Sequence, residues 1–108
     1  MAERIGDRLE QLFAVGDGPH ARRLGLGPEE ERACELAAGW MREAGLAVSW
    51  DPAGNVVGRL PGRQPDLPEV WTGSHLDTVP GGGRFDGALG VAVGIEALTP
   101  RPPRRTLQ

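Results

Sequence analysis

The chain has 108 residues, a net charge of −3 and 39% apolar residues, enough for one domain with a modest core. Its acidic balance argues against a nucleic-acid-binding surface, and a single cysteine, Cys34, excludes an internal disulfide or a zinc site built from several thiolates. The charged start MAERIGDRLE is unlike a signal peptide and no apolar run has the length of a membrane span, so a cytoplasmic enzyme or enzyme part with no membrane partner is expected.

The first element is a short amphipathic helix over 3–14, with Ile5, Leu9, Leu12 and Phe13 on one stripe. HARRLGLG, 20–27, follows as an irregular loop, and His20 within it is assigned to the surface. A second helix starts at Pro28, whose fixed φ suits a first helical position, and Glu29, Glu30 and Glu31 complement the positive end of its dipole. Ala33, Leu36, Ala37, Trp40, Met41 and Ala44 form its buried stripe, Cys34 behaves as a small buried hydrophobe, and Gly45 is the stop. LAVSW and VVGRL are strand-like runs around the turn DPAGN.

PGRQPDLP is a proline-punctuated connection, and EVWTGSH, 69–75, has the pattern of a third strand carrying His75 at its end. Helical character resumes over 86–98, where Gly87, Gly90 and Gly94 fall on nearly one face and would let the helix lie very close to a sheet or a ligand. TPRPP ends it, RPPRR is an extended charged linker, and TLQ starts another strand. The order of helices and strands is that of an α/β fold, whose ligands sit at the carboxyl ends of strands.

The chemistry concentrates in GSHLDTVPGGGRFDGALG, 73–90. Side chains two apart on an extended chain share a side, so His75 and Asp77 can face one another. A carboxylate accepting a ring N–H from a metal-bound histidine fixes its tautomer and raises its basicity. Asp86 opens the following helix, where its carboxylate could bridge two cations. Each part has an ordinary reading: a polar histidine at a strand end, an aspartate N-cap, a flexible glycine turn. Their co-occurrence at this spacing favours a metal site. A phosphate cradle fails, because Asp86 stands where a dinucleotide fingerprint needs glycine and a P-loop needs a lysine that the chain lacks.

GSHLDTVPGGGRFDGALGV resembles the metal-binding segment of the dinuclear zinc amidohydrolases related to aminoacylases. It is most similar to the branch that contains N-carbamoyl-L-amino-acid amidohydrolase, allantoate amidohydrolase and ureidoglycolate-type enzymes. The resemblance extends upstream through RRLGLGPEEERACELAAGWMREAGLAVSWDPAGNVVGRLPG and so covers nearly the whole chain. Gly81 departs from it, standing where relatives often carry Asn or another polar residue.

The resemblance implies that His75 binds one metal, that Asp86 bridges two, and that Asp77 orients His75 from behind. The ions would be zinc, or manganese or cobalt in its place, and the peptide after Asp86 would be cis. It also implies a three-layer α/β/α zinc-exopeptidase-like parent, of which residues 1–108 form an N-terminal fragment of the metal-binding catalytic domain. The parent's later strands, its adjacent Glu-Glu pair, two further histidines and a lid and dimerisation domain have no counterpart here. The complete enzyme would be a homodimer acting on small amide or ureido substrates such as N-carbamoyl amino acids or allantoate. Glu96 is the only glutamate after Asp86, so the chain alone is expected to be inactive. The alternative is a non-catalytic binding or dimerisation module that has kept the scaffold.

Overall fold

The computed structural model describes residues 1–16 and 22–100. Helix α1, Ala2–Ala14, turns Leu9 and Leu12 into the interior, with Ile5 packed at the margin. Helix α2, Pro28–Glu43, starts at the expected proline behind an extended Gly27 and buries Ala33, Ala37, Ala38 and Trp40. It stops as its sequence dictates. Gly45 takes φ 86°, which frees its amide to reach Arg42 O and the Leu46 amide to reach Met41 O, closing both orphan carbonyls. Cys34 is half-buried, and burial raises its thiol pKa, helped by Glu30 and Glu31, which makes it an inert packing residue.

Strands β1, Ala47–Trp50, and β2, Val56–Arg59, form an antiparallel hairpin pairing Val48 with Gly58 and Trp50 with Val56. Asp51 ties the turn. Its carboxylate accepts from the Ala53 and Asn55 amides and from Asn55 Nδ2 at 2.8–3.0 Å. The hairpin leans on α2 at Gly58, where a Cβ would stand 2.8 Å from Met41 Sδ.

The expected third strand is not formed. Among the described residues the sheet has two strands, and 69–75 pairs with neither. Alternation can propose a strand, but only a neighbouring ladder makes one, and no described segment supplies it. What holds this stretch is a helix. Helix α3, Ala88–Leu98, begins two residues later than expected because Gly87, at φ 70° and ψ −46°, is not helical. Along α3, Gly94 faces Thr72, Gly90 faces Ser74 and Gly87 faces His75, so residues 72–75 run antiparallel to the helix over its glycine stripe. Ser74 Oγ donates to Gly87 O at 2.8 Å.

The core joins Leu9 and Leu12 of α1, Ala33, Ala37 and Trp40 of α2, and Ala88, Ala92 and Ile95 of α3 around Leu76. At the α1–α3 contact Arg4 donates twice to Glu96 at 2.7 Å, and between α1 and α2 Arg8 lies 5.2 Å from the Trp40 ring centroid. This is a mixed helix and small-sheet architecture. His20, RPPRR and the TLQ strand lie outside the described residues.

Candidate metal centre

From His75 to Thr78 the chain alternates outward and inward: His75 and Asp77 are exposed, while Leu76 and Thr78 are buried. Leu76 enters the core. Thr78 is held by Arg23, whose amide donates to Thr78 Oγ1 at 2.8 Å while the Thr78 amide donates to Arg23 O at 2.7 Å. With 76 and 78 pinned, the side chains of 75 and 77 stand on one side, as an extended chain requires.

The imidazole's orientation is settled by its neighbours. Nδ1 lies 2.8 Å from Asp77 O and 3.1 Å from Asp77 Oδ1. A carbonyl and a carboxylate oxygen only accept, so Nδ1 carries the proton and the lone pair of the neutral ring sits on Nε2. The Asp77 carbonyl, then the charges of Asp77 and Asp86, raise the His75 pKa against the opposing effect of desolvation.

Nε2 faces Asp86, with Oδ1 3.7 Å away, too far for a hydrogen bond. It is a workable span for two donors on one cation, since a tetrahedral zinc with bonds of about 2.0–2.1 Å holds its donors about 3.3 Å apart. Asp86 does not serve as a helix cap. Gly87 occupies the N-cap position and no side chain closes that end of α3. A cap would have been the commonest use of an aspartate here, and the carboxylate is instead turned toward His75.

The glycines around it do two kinds of work. Gly81 and Gly83 take φ 72° and 75° in the turn that returns the chain to Asp86. Gly87 allows contact: a Cβ there would stand 2.6 Å from His75 Cε1 and Nδ1 and would overlap the His75 carbonyl oxygen. The peptide joining Asp86 to Gly87 is trans, contrary to the expectation from resemblance and in the lower-energy form of a non-proline peptide, and the turn there is made with a positive φ at Gly87. Arg84 latches the loop to α1, donating to Glu10 Oε1 at 2.6 Å and lying 4.3 Å from the Phe13 ring centroid.

The donor set, one imidazole nitrogen and one carboxylate with a second carboxylate behind the ring, fits part of a zinc-type coordination sphere. Among the described residues no three His, Cys, Asp or Glu side chains converge as a complete set. Glu96 cannot contribute, being committed to Arg4, which holds its carboxyl below the usual range.

Sequence reading missed Arg23. It is 2% exposed, and besides its backbone bonds to Thr78 it donates from Nε to Leu76 O and from one guanidinium nitrogen to Leu12 O, both at 2.7 Å. Burial lowers its pKa, opposed by the charges of Asp77 and Asp86. Nothing in RRLGLG marks one arginine as buried; the signal lies in partners more than fifty residues away in sequence.

Comparison with known proteins shows what the chain as a whole is similar to. The chain is 50% identical over 98 residues to the N-carbamoyl-L-amino acid amidohydrolase of Geobacillus stearothermophilus, a match covering 89% of this chain and 24% of that protein. It is 40% identical over 92 residues to an allantoate deiminase of Arabidopsis thaliana, covering 84% of this chain and 18% of the relative. A crystal structure of a hydantoinase/carbamoylase family amidase from Burkholderia ambifaria superposes with a TM-score of 0.86 at 40% identity, over 92% of this chain and 25% of that one. The match fits an N-terminal part of this amidohydrolase family. The chain spans about a quarter of the length of the N-carbamoyl-amino-acid amidohydrolases it resembles. No protein-family model matches it.

Proposed function

We propose that the chain carries one ligand-bearing side of a two-metal centre in a hydrolase of linear amide or ureido C–N bonds, such as those of N-carbamoyl amino acids or allantoate. One observation carries the reading: His75 is locked by Asp77 into the tautomer that offers Nε2, and the carboxylate facing Nε2 belongs to Asp86. His75 would be a terminal ligand and Asp86 the bridge, with zinc, manganese or cobalt as the ion. Asp77 would keep the ring from turning and raise its basicity. A bound divalent cation supplies Lewis acidity and lowers the pKa of water; this chain's residues would position it, with Asp77 holding the ring proton on Nδ1 so that the neutral ring turns the Nε2 lone pair toward it.

A hydrolase also needs a general base. Glu96 is withdrawn into its pair with Arg4, and Asp77 is engaged with His75. The chain is therefore proposed to be inactive alone and to depend on groups supplied from outside it. Two measurements test this. Cobalt or zinc titration of the chain should show binding that His75→Ala and Asp86→Ala each abolish. A fusion of the chain to the remaining three-quarters of the Geobacillus relative should hydrolyse an N-carbamoyl-L-amino acid or allantoate. A metal-loaded fusion inert toward both would refute the assignment and leave the binding-module reading, which the exposed Val70 and Trp71 favour.

A further inference from the structure

We infer that Arg23 is the positioning residue of the candidate metal centre: it sets the height and direction of 76–78, and through them the Asp77–His75 pair. The inference rests on the metal-site reading of His75 and Asp86 and adds a residue to it that sequence spacing does not reach.

A buried guanidinium is costly unless its hydrogen bonds are met. Arg23 meets them mainly with backbone, and its choice of backbone is informative. Nε donates to Leu76 O, and a terminal nitrogen donates to Leu12 O near the end of α1. Its own amide and carbonyl pair with Thr78. One residue thus clamps the chain on both sides of Asp77, and it anchors that clamp to a helix whose Leu9 and Leu12 lie in the core. Asp77 offers both its carbonyl and its carboxylate to the same ring nitrogen, so a small rotation of 76–78 would break two hydrogen bonds to His75 together. The planar fork of arginine suits two carbonyls in different directions, whereas a lysine offers one point charge.

Charge and geometry make opposite forecasts, which allows a clean test. Arg23 also places a positive charge near Asp77 and Asp86. If that charge were its contribution to metal binding, Arg23→Met would bind cations more tightly than the parent chain and Arg23→Lys would match it. If it acts by position, both variants bind more weakly, by the roughly 10–100-fold typical of a lost supporting partner.

The experiment has two arms on the full chain. Long-range 1H–15N NMR of metal-free protein reads the His75 ring tautomer: the parent should show the Nδ1–H form, and Arg23→Lys should shift toward the Nε2–H form. Titration with Co2+, followed by its visible absorption, should then show weaker binding in Arg23→Lys and Arg23→Met. Should either Arg23 variant fail to fold, Thr78→Val removes the Oγ1 acceptor without unpairing the guanidinium and should shift the tautomer in the same direction. An unchanged tautomer in folded Arg23→Lys or in Thr78→Val overturns the inference, as does tighter Co2+ binding by Arg23→Met. If the parent binds no Co2+ while the tautomer still moves, the positioning role stands and the metal reading fails.

Discussion

Adding one methyl group at each of three glycines on a single stripe should have three different consequences. At Gly94 a new Cβ would lie 3.4 Å from Thr72 Cγ2, an ordinary contact. Alanine there gains the helix propensity that glycine forgoes, about 0.8–1.0 kcal/mol, so Gly94→Ala should stabilise by about that amount. At Gly90 the Cβ would come within 2.7 Å of Ser74 Cβ. The same propensity gain is then opposed by overpacking of about 1–3 kcal/mol, and Gly90→Ala should lose about 1 kcal/mol net. Gly87 lies outside the helix at φ 70° and touches the His75 ring and carbonyl. Gly87→Ala has no propensity gain, an unfavourable positive φ costing about 1–2 kcal/mol and overpacking of about 1–3, for a loss of about 2–5 kcal/mol. Urea denaturation followed by circular dichroism would rank them, with Gly39→Ala in α2 as a control because nothing lies within 4 Å of its Cβ position. In a domain this size about 1 kcal/mol moves Tm by about 4–8 °C, so the order is easily resolved. A Gly94→Ala as damaging as Gly90→Ala, or a tolerated Gly87→Ala, would refute the packing of 72–75 on α3.

Leu12 is fully buried between the helices, and Leu12→Ala should cost about 2–5 kcal/mol in the same denaturation assay; a loss below about 1 kcal/mol would mean that α1 is not docked on the core. Stability should fall in acid, because Arg4 holds the Glu96 carboxyl, and Asn55 the Asp51 carboxyl, below their ordinary pKa values. A depressed folded pKa contributes stability above the unfolded value, about 4.3 for Glu and 3.9 for Asp, that disappears as pH drops through the folded one; Glu96→Gln should therefore destabilise at neutral pH and flatten the acid limb, and an unchanged limb would count against the pair. Asp51→Ala removes three accepted hydrogen bonds from the hairpin turn, so amide exchange in β1 and β2 should quicken while α1 and α3 keep their protection; equal quickening in the helices would show that the hairpin is not a separable unit.

Where local chemistry decides the structure, the sequence was enough. Pro28, the three glutamates after it and Gly45 bound α2, and the Asp-Pro-Ala-Gly-Asn turn places the hairpin, because caps and turns are settled by residues within a few positions. The strand pattern of 69–75 misleads for the opposite reason. Its alternation is genuine, but a ladder depends on a neighbour that local sequence does not encode. The same alternation did locate His75 and Asp77 on one side, since that follows from backbone geometry with or without a ladder. Arg23 and Glu96 were opaque. Both look like surface charges, and each is buried by partners distant in sequence, Leu76 and Thr78 for the first and Arg4 for the second.

The glycine-rich loop first suggests mobility, yet its positions serve proximity as much as bending. Gly81 and Gly83 turn the chain; Gly87 and Gly90 remove the atoms that would hold residues 74 and 75 away from α3. A Cβ at Gly87 would occupy the volume that the His75 ring fills, so the nearness of Nε2 to the Asp86 carboxylate depends on the glycine after that aspartate. The resulting site is open to water, with the His75 and Asp77 side chains each 54% exposed. Two donors in such a setting would hold a cation weakly, because structural zinc sites use four ligands and catalytic ones three plus water. On the metal-site reading proposed above, such a pair would need further ligands from outside the described residues. The quarter-length match to amidohydrolases and the want of a three-ligand cluster among the described residues are both consistent with that proposal.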